Sequence, residues 1–154
     1  EFGAEYGFVD QDRRSRLVQL FDKQGNFTNL TLIREFRTGT DAKERPPLTV
    51  SQLIGKWSGT AHTVYSDLRP SERKTSNLEI KEIGNGYLEQ TLTFGEQTIT
   101  STAKIADKKL IFEKGGNTQE ILLLPDGISS NVPPQIQLRK PFIVEAGWLV
   151  ADNE

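Results

Sequence analysis

Cysteine is absent from the 154 residues of this chain, which excludes disulfide bonds, thiolate metal ligands and cysteine nucleophiles. Long hydrophobic runs are absent too. No apolar stretch approaches the roughly 20 residues that cross a bilayer, so we expect no membrane span. Neither sign of charge dominates, since 19 Lys and Arg stand against 21 Asp and Glu and the formal net charge is −2. We therefore expect no nucleic-acid partner, because such a charge exerts no strong pull on phosphates.

Histidine is nearly absent, and this limits the chemistry open to the chain. The single histidine, His62, alternates with Trp57 along a predicted strand, so the two side chains point to opposite faces. No carboxylates stand at metal-ligand spacing from His62, and no nucleophile, base and acid occur together in a motif. We expect no catalytic residue, no metal and no cofactor, and the sequence disfavours an enzyme.

What the sequence does contain is a series of short segments rich in β-forming residues and separated by turn residues. Residues 16–21 and 27–34 flank the turn Asp22-Lys23-Gln24-Gly25-Asn26, and this pattern predicts a β-hairpin. From Trp57 to Val150 similar segments recur at intervals of about eight to twelve residues. Strands and helices do not alternate. The predicted fold class is therefore all-β, an antiparallel meander closed into a barrel.

The chain divides into three parts that we expect to form one domain. Residues 1–36 hold the N-terminal hairpin, which we expect to supply closing strands of the barrel. Residues 37–50 form a charged linker, which ends soon after Arg45-Pro46-Pro47. Residues 51–154 hold the main barrel strands.

A short pattern near the start of the chain is repeated near its end. Glu5-Tyr6-Gly7-Phe8-Val9 and Glu145-Ala146-Gly147-Trp148-Leu149 share the order Glu, any residue, Gly, aromatic, aliphatic. This repeat favours a parent protein with two similar barrels in tandem. The N-terminal hairpin would then fill the gap in the second barrel and give a circularly permuted fold. Exchange of the hairpin between two chains would give a homodimer.

The first long strand follows one helical turn, predicted over 51–54 with Thr49 as its N-cap and Gly55 as its stop. The sequence there, Gly55-Lys56-Trp57, resembles the Gly-x-Trp signature of lipocalins and other calycins. The resemblance implies a lipocalin-like barrel in which an arginine from the last strand packs over the indole. Here that arginine would be Arg34, stacked on Trp57 through a cation–π contact.

Five further segments make the resemblance more specific, because they are similar to lipocalin-like domains of unknown function from cyanobacteria and plant plastids. They are 16–21, 30–35, Arg45-Pro46-Pro47-Leu48-Thr49, Leu123-Leu124-Pro125-Asp126-Gly127 and Glu145-Ala146-Gly147-Trp148. The resemblance implies a photosynthetic setting, in the chloroplast or the cyanobacterial cytoplasm. Phycobiliprotein chromophore lyases are more distant relatives, and no lyase-specific residue is matched.

The candidate ligand-binding residues are Arg69, Arg73, Tyr65 and Trp148. In calycins the loop after the first strand lies beside the barrel mouth, which implies that Arg69 and Arg73 contact an anionic ligand. Tyr65 ends the alternation that begins at Trp57, and Trp148 belongs to the core or to the mouth.

The function we favour is a binding module, because closed barrels of this size can hold one small ligand. It would bind a hydrophobic or amphipathic small molecule, such as a tetrapyrrole, or a protein partner. One alternative is lyase-like handling of a tetrapyrrole chromophore. The other is a structural domain whose barrel is filled by side chains.

Overall fold

The computed structural model describes residues 1–114, 116–137 and 139–151 of the chain. These residues form two β-sheets, of three and eight strands, with one short helix and one turn of 3-10 helix. The paired strands β1–β2, β2–β3, β4–β5, β5–β6, β6–β7, β9–β10 and β10–β11, numbered in chain order, all run antiparallel. The prediction of an all-β antiparallel fold is therefore confirmed.

The strands follow one another along the chain with short turns between most of them. They are β1 Phe2–Asp10, β2 Arg13–Phe21, β3 Phe27–Phe36, β4 Gly55–His62, β5 Arg73–Gly84, β6 Tyr87–Phe94, β7 Gln97–Ala106, β8 Lys109–Lys114, β9 Asn117–Leu124, β10 Ile128–Asn131 and β11 Ala146–Trp148. The predicted helical turn is confirmed as α1, Val50–Leu53, one residue earlier than expected. The 3-10 turn, Pro125–Gly127, joins β9 to β10.

The predicted N-terminal hairpin is confirmed as β2 and β3, which pair with Leu17 opposite Leu32. Along β2 the side chains alternate strictly: Ser15, Leu17, Gln19 and Phe21 are buried, and the residues between them are not. This period of two turns one face of the strand to a core. Sequence analysis did not predict β1, which pairs with β2 along its whole length and stacks Phe2 on Phe21 at 5.2 Å between ring centroids.

The hairpin was expected to pair with strands of the second half of the chain, and within one chain this was wrong. In the described residues the sheet order is β1-β2-β3, so the hairpin joins β1. Its turn does meet the second half, through an isolated bridge between Asn26 and Gln135. Gly25 belongs to that contact. Its φ is +86°, and a Cβ would lie 2.1 Å from the Ile136 carbonyl oxygen, so only glycine fits. Hairpin exchange between chains stays a prediction.

The eight-stranded sheet has the order β11-β10-β9-β8-β7-β6-β5-β4. Its strands are divided between two compact units of the chain. Unit 1 comprises Glu1–Thr49, Lys108–Leu110 and the described residues from Gln119 onward, and unit 2 comprises Val50–Asp107 and the described residues of Ile111–Thr118. Unit 1 thus contains the three-stranded sheet with β10 and β11, and unit 2 contains α1 with β4 to β7.

Each unit has a hydrophobic core of its own. The buried hydrophobic side chains of unit 1 are Leu17, Phe21, Leu48, Leu110, Leu123, Ile128 and Ile136. Those of unit 2 are Ile80, Leu88 and Ala103. Unit 2 therefore has fewer and smaller buried side chains than unit 1.

Candidate functional site

One face of the β4–β7 sheet in unit 2 carries a row of large apolar side chains that lie side by side. Trp57 is opposite Leu78, Leu78 is opposite Leu92, and Leu92 is opposite Ile99. The row crosses four strands, and side chains opposite one another on neighbouring strands are in contact range. We call Trp57, Leu78, Leu92 and Ile99 the open face.

Among the described residues, the side chains of the open face are incompletely buried. Trp57, Leu78 and Leu92 are only half-buried, and Ile99 is 48% exposed. The same face of the sheet is buried further along the strands, where Ile80, Leu88 and Ala103 lie. Exposed apolar side chains that form a contiguous patch mark sites of interaction more often than isolated ones do. The arrangement therefore suits the docking of an apolar surface.

The opposite face of the same sheet is polar and makes its own hydrogen bonds. The hydroxyls of Thr91 and Thr100 lie 3.3 Å apart, as do those of Thr93 and Thr98. Lys81 lies opposite Glu89, with 3.0 Å between Nζ and the carboxylate oxygen. The hydrogen bond and the charge of Glu89 raise the pKa of Lys81 above its ordinary value. Sheets with one apolar and one polar face normally turn the apolar one to a core.

Two of the predicted ligand-binding residues lie together in unit 2. The Arg69 guanidinium carbon lies 3.8 Å from the centroid of the Tyr65 ring, a close cation–π geometry. Arg69 also lies 3.9 Å from a carboxylate oxygen of Asp67. Arg69 thus has partners within the chain, the Tyr65 ring and the Asp67 carboxylate.

Arg73 lies at the start of β5, opposite His62. With Lys74, Phe94 and Glu96 it lines an open depression of about 660 Å³ at the strand ends. The Lys74 ammonium lies 5.6 Å from the Phe94 ring centroid. His62 itself is hydrogen-bonded to the Ser71 hydroxyl. Among the described residues, no three His, Cys, Asp or Glu side chains are grouped to hold a metal ion.

The fourth predicted residue, Trp148, belongs to unit 1 and to a cluster that sequence analysis missed. Its indole N–H donates to the Asp126 carbonyl oxygen at 2.8 Å. Its ring lies 5.6 Å from the Phe8 ring and 5.7 Å from the Arg45 guanidinium carbon. Phe8 and Trp148 occupy the aromatic position of the two repeated patterns. These two side chains pack on each other in the fold.

Asp126 is the centre of this cluster and is 1% exposed. Its carboxylate accepts hydrogen bonds from the Ser15 hydroxyl at 3.1 Å and from the Arg45 backbone N–H and Nε at 3.1 and 3.3 Å. Arg13 lies 3.9 Å from the same carboxylate. Asp126 has a φ of +62°, which aspartate tolerates better than most residues. A buried carboxylate with this many donors ties β2 and the linker to the 3-10 turn.

The remaining signature residues have local partners. Arg34 forms an ion pair with Glu44 in unit 1. In unit 2 the Trp57 indole N–H donates to the Leu53 carbonyl oxygen at 2.9 Å, so it closes the helical turn before Gly55. Arg34 and Trp57 thus belong to different units, and stacking of one on the other stays a prediction.

A family model described as "Biogenesis factor required for ATP synthase 1, C-terminal domain" matches residues 44–154. Another, described as "Domain of unknown function (DUF3598), N-terminal", matches residues 1–40. The gap between the two matches, residues 41–43, lies inside the segment 37–50. No curated protein matches the sequence. No helix among the described residues has the length and apolar character needed to cross a membrane.

One solved structure is similar over nearly the whole chain. It is a protein of unknown function of the DUF3598 family from Nostoc punctiforme, 47% identical, with a TM-score of 0.89. The match covers 99% of this chain and 57% of the Nostoc protein. This chain thus spans a little over half the length of that relative. The predicted kinship with a cyanobacterial family of unknown function is confirmed. The chain belongs to the family of the C-terminal domain of Biogenesis factor required for ATP synthase 1, with a DUF3598 N-terminal segment before it.

Proposed function

We propose that this chain is a protein-binding module that docks a component of the ATP synthase on the open face during biogenesis of that enzyme. The open face is the observation that carries the proposal. Four large apolar side chains lie in one row across β4 to β7, and none of them is fully buried. Covering such side chains releases about 25 cal/mol for each Å² of apolar area removed from water.

The family supplies the identity of the partner in this proposal. Its description ties the protein for which it is named to the biogenesis of ATP synthase. A factor of that kind has to hold a component before its final neighbours cover it, and an open apolar face can do this. The Nostoc relative supports a photosynthetic setting, in the cyanobacterial cytoplasm or the chloroplast.

A second candidate is a lipocalin-like barrel that binds a small ligand through Arg69, Arg73, Tyr65 and Trp148. The contact of Arg69 with Tyr65 supports it, because a guanidinium fixed on a ring could meet an anionic group. Tetrapyrrole handling and a purely structural role have no observation of their own in their favour. The protein partner is preferred because the open face is a continuous row of apolar side chains that are half-buried or, at Ile99, exposed.

The proposal is tested by paired substitutions on neighbouring parts of β7. Ile99→Lys places a charge in the open face, whereas Thr102→Lys places the same charge on the polar face, opposite Glu89. Purified subunits of the ATP synthase are titrated one at a time against the wild-type chain and both variants. We expect one subunit to bind, with affinity lowered about tenfold or more by Ile99→Lys and nearly unchanged by Thr102→Lys. Binding of no subunit, or equal loss in both variants, would contradict the proposal.

A further inference from the structure

Strand β4 is an edge of the eight-stranded sheet. In the described part of the chain its one strand neighbour is β5, which pairs with it from Gly55 to His62. Half of the backbone N–H and C=O groups of an edge strand point away from the sheet. These groups are satisfied by water or by another extended chain.

On its polar face β4 carries one charged side chain, Lys56, which lies 3.7 Å from a carboxylate oxygen of Glu79, whereas the side of the open face carries no charge. On the side of the open face the strand carries Gly55, Trp57, Gly59 and Ala61, which is one large side chain between small ones. A Cβ built on Gly59 would have no other atom within 4 Å, so the space over Gly59 is empty. Natural edge strands are commonly guarded by proline or by a charged side chain that points inward. This face of β4 has neither.

The other strand edges in the described part of the chain are shorter than β4 or carry more charged side chains. At the far end of the same sheet, β11 spans three residues. Along β3 of unit 1, Arg34 is paired with Glu44 and Glu35 with Arg16. Charges of this kind discourage the addition of a further strand. β4 is thus an edge strand of eight residues that has small side chains next to the large apolar side chain of Trp57.

We propose that β4 takes up an extended segment of the partner protein as an added strand, whose bulky apolar side chain covers Gly59. The inference rests on the proposed function and specifies the part of the partner that is bound. Every second side chain of the added strand would lie on the open face, next to Trp57. The apolar row of the open face would then cross five strands and not four. An aromatic side chain placed across from an edge glycine compensates for the side chain that glycine lacks.

The partner segment therefore has a definite chemistry. It alternates apolar and polar residues, carries a large apolar residue opposite Gly59 and contains no proline at the paired positions. The backbone hydrogen bonds provide affinity, and the fit over Gly59 beside Trp57 provides selectivity. An unassembled subunit with an unpaired strand of this pattern is the kind of partner that the edge suits.

The test uses overlapping synthetic peptides of about twelve residues that cover all subunits of the ATP synthase, titrated against the full chain by fluorescence anisotropy. Gly59→Lys is the test variant, because the space over Gly59 accepts a side chain and the lysine would guard the edge. Ser58→Lys is the matched control, since Ser58 lies next along β4 on the polar face. Circular dichroism checks that both variants keep the wild-type fold.

We expect at least one alternating peptide to bind, about tenfold more weakly to Gly59→Lys and within about twofold of wild type to Ser58→Lys. Bound peptide should also slow hydrogen exchange of the amides of Gly55–His62. Strand addition is wrong if Ile99→Lys abolishes peptide binding while Gly59→Lys binds the peptide as tightly as wild type and the exchange of these amides is unchanged. The proposed function would still stand after that result. Peptides that bind only in helical form, or a dimer of this chain joined through β4, would also overturn strand addition. If no peptide binds, strand addition is wrong, and the subunit titrations decide the proposed function separately.

Discussion

Units 1 and 2 are built from the same kind of strand but bury very different side chains. Among the described residues, unit 1 holds seven of the ten buried hydrophobic side chains and all five buried polar or charged residues, Ser15, Gln19, Asp126, Ser130 and Asn131. In unit 2 three hydrophobic side chains are buried and Trp57, Leu78, Leu92 and Ile99 are not. Strand pairing alone therefore does not produce a hydrophobic core. Unit 1 thus buries its large apolar side chains more completely than unit 2 does.

The buried polar residues of unit 1 form hydrogen bonds between its strands and loops. The Gln19 amide nitrogen donates to the Ser130 hydroxyl and to the Asn131 carbonyl oxygen, each at 2.7 Å. The Asn131 side chain in turn holds the backbone at Ile143 and Glu145. Buried polar groups are costly unless they are paired, so these bonds favour one way of packing β2 against β10. The open face of unit 2 includes no buried polar side chain of this kind.

The largest effect is expected from Asp126→Ala in unit 1. The substitution removes the acceptor of the Ser15 hydroxyl and of Arg45, so the free energy of unfolding should fall by about 3 kcal/mol. Asp126→Asn is the control, because asparagine tolerates the positive φ and keeps the backbone contacts, and it should cost less. Urea unfolding measures both. A loss below about 0.5 kcal/mol for the alanine variant would show that the cluster does not stabilise unit 1.

Leucine-to-alanine substitutions compare the two units directly. Leu17 is 0% exposed in the core of unit 1, so Leu17→Ala should destabilise the chain by about 3 kcal/mol. Leu92 is half-buried on the open face, and Leu92→Ala should cost about 1 kcal/mol because less apolar area is lost. Equal losses in urea unfolding would mean that the open face is a core in solution and would remove the contrast.

Sequence analysis found the features that are encoded locally. The β2–β3 hairpin and α1 depend on residues close in the chain: alternating apolar side chains, the turn around Gly25, and the stop at Gly55. Strand β1 was missed because Gly3 and Gly7 interrupt its pattern, and it forms because β2 pairs with it. The Asp126 cluster was missed because its partners are far away in sequence, 81 residues to Arg45 and 111 to Ser15. The only local signal was the Pro125-Asp126-Gly127 turn.

The ligand-binding role of Arg69, Arg73, Tyr65 and Trp148 stays a prediction, and the open face was not predicted. Arg69 and Tyr65 are four residues apart and do meet. The open face depends on strand register, which places Trp57, Leu78, Leu92 and Ile99 in one row, and register cannot be read from alternation alone. The missing cover of that row also cannot be inferred from the sequence, because half-buried and buried strands share the same apolar pattern.

The smallest effect concerns the turn of unit 1 at Asp22. The carboxylate accepts hydrogen bonds from the Asn26 side chain and from the backbone N–H groups of Gln24 and Asn26. These bonds, that from the Asn26 side chain first, lower the pKa of Asp22 below its model-compound value of 3.8. A lowered pKa adds stability above pH 3.8 that is lost as pH falls through the folded-state pKa. In urea unfolding the stability of Asp22→Asn should therefore depend less on pH in this acidic range. An unchanged pH dependence would contradict the role of the turn.

Side-chain footprinting with hydroxyl radicals tests the contrast between the units most directly. The free chain and its complex with the ATP synthase subunit that binds are oxidised briefly, and modification is located by mass spectrometry. We predict that Trp57, Leu92 and Ile99 are modified in the free chain and protected in the complex, whereas Leu17 and Phe21 stay unmodified in both. Protection confined to unit 1, or an open face that is already unreactive in the free chain, would contradict the account.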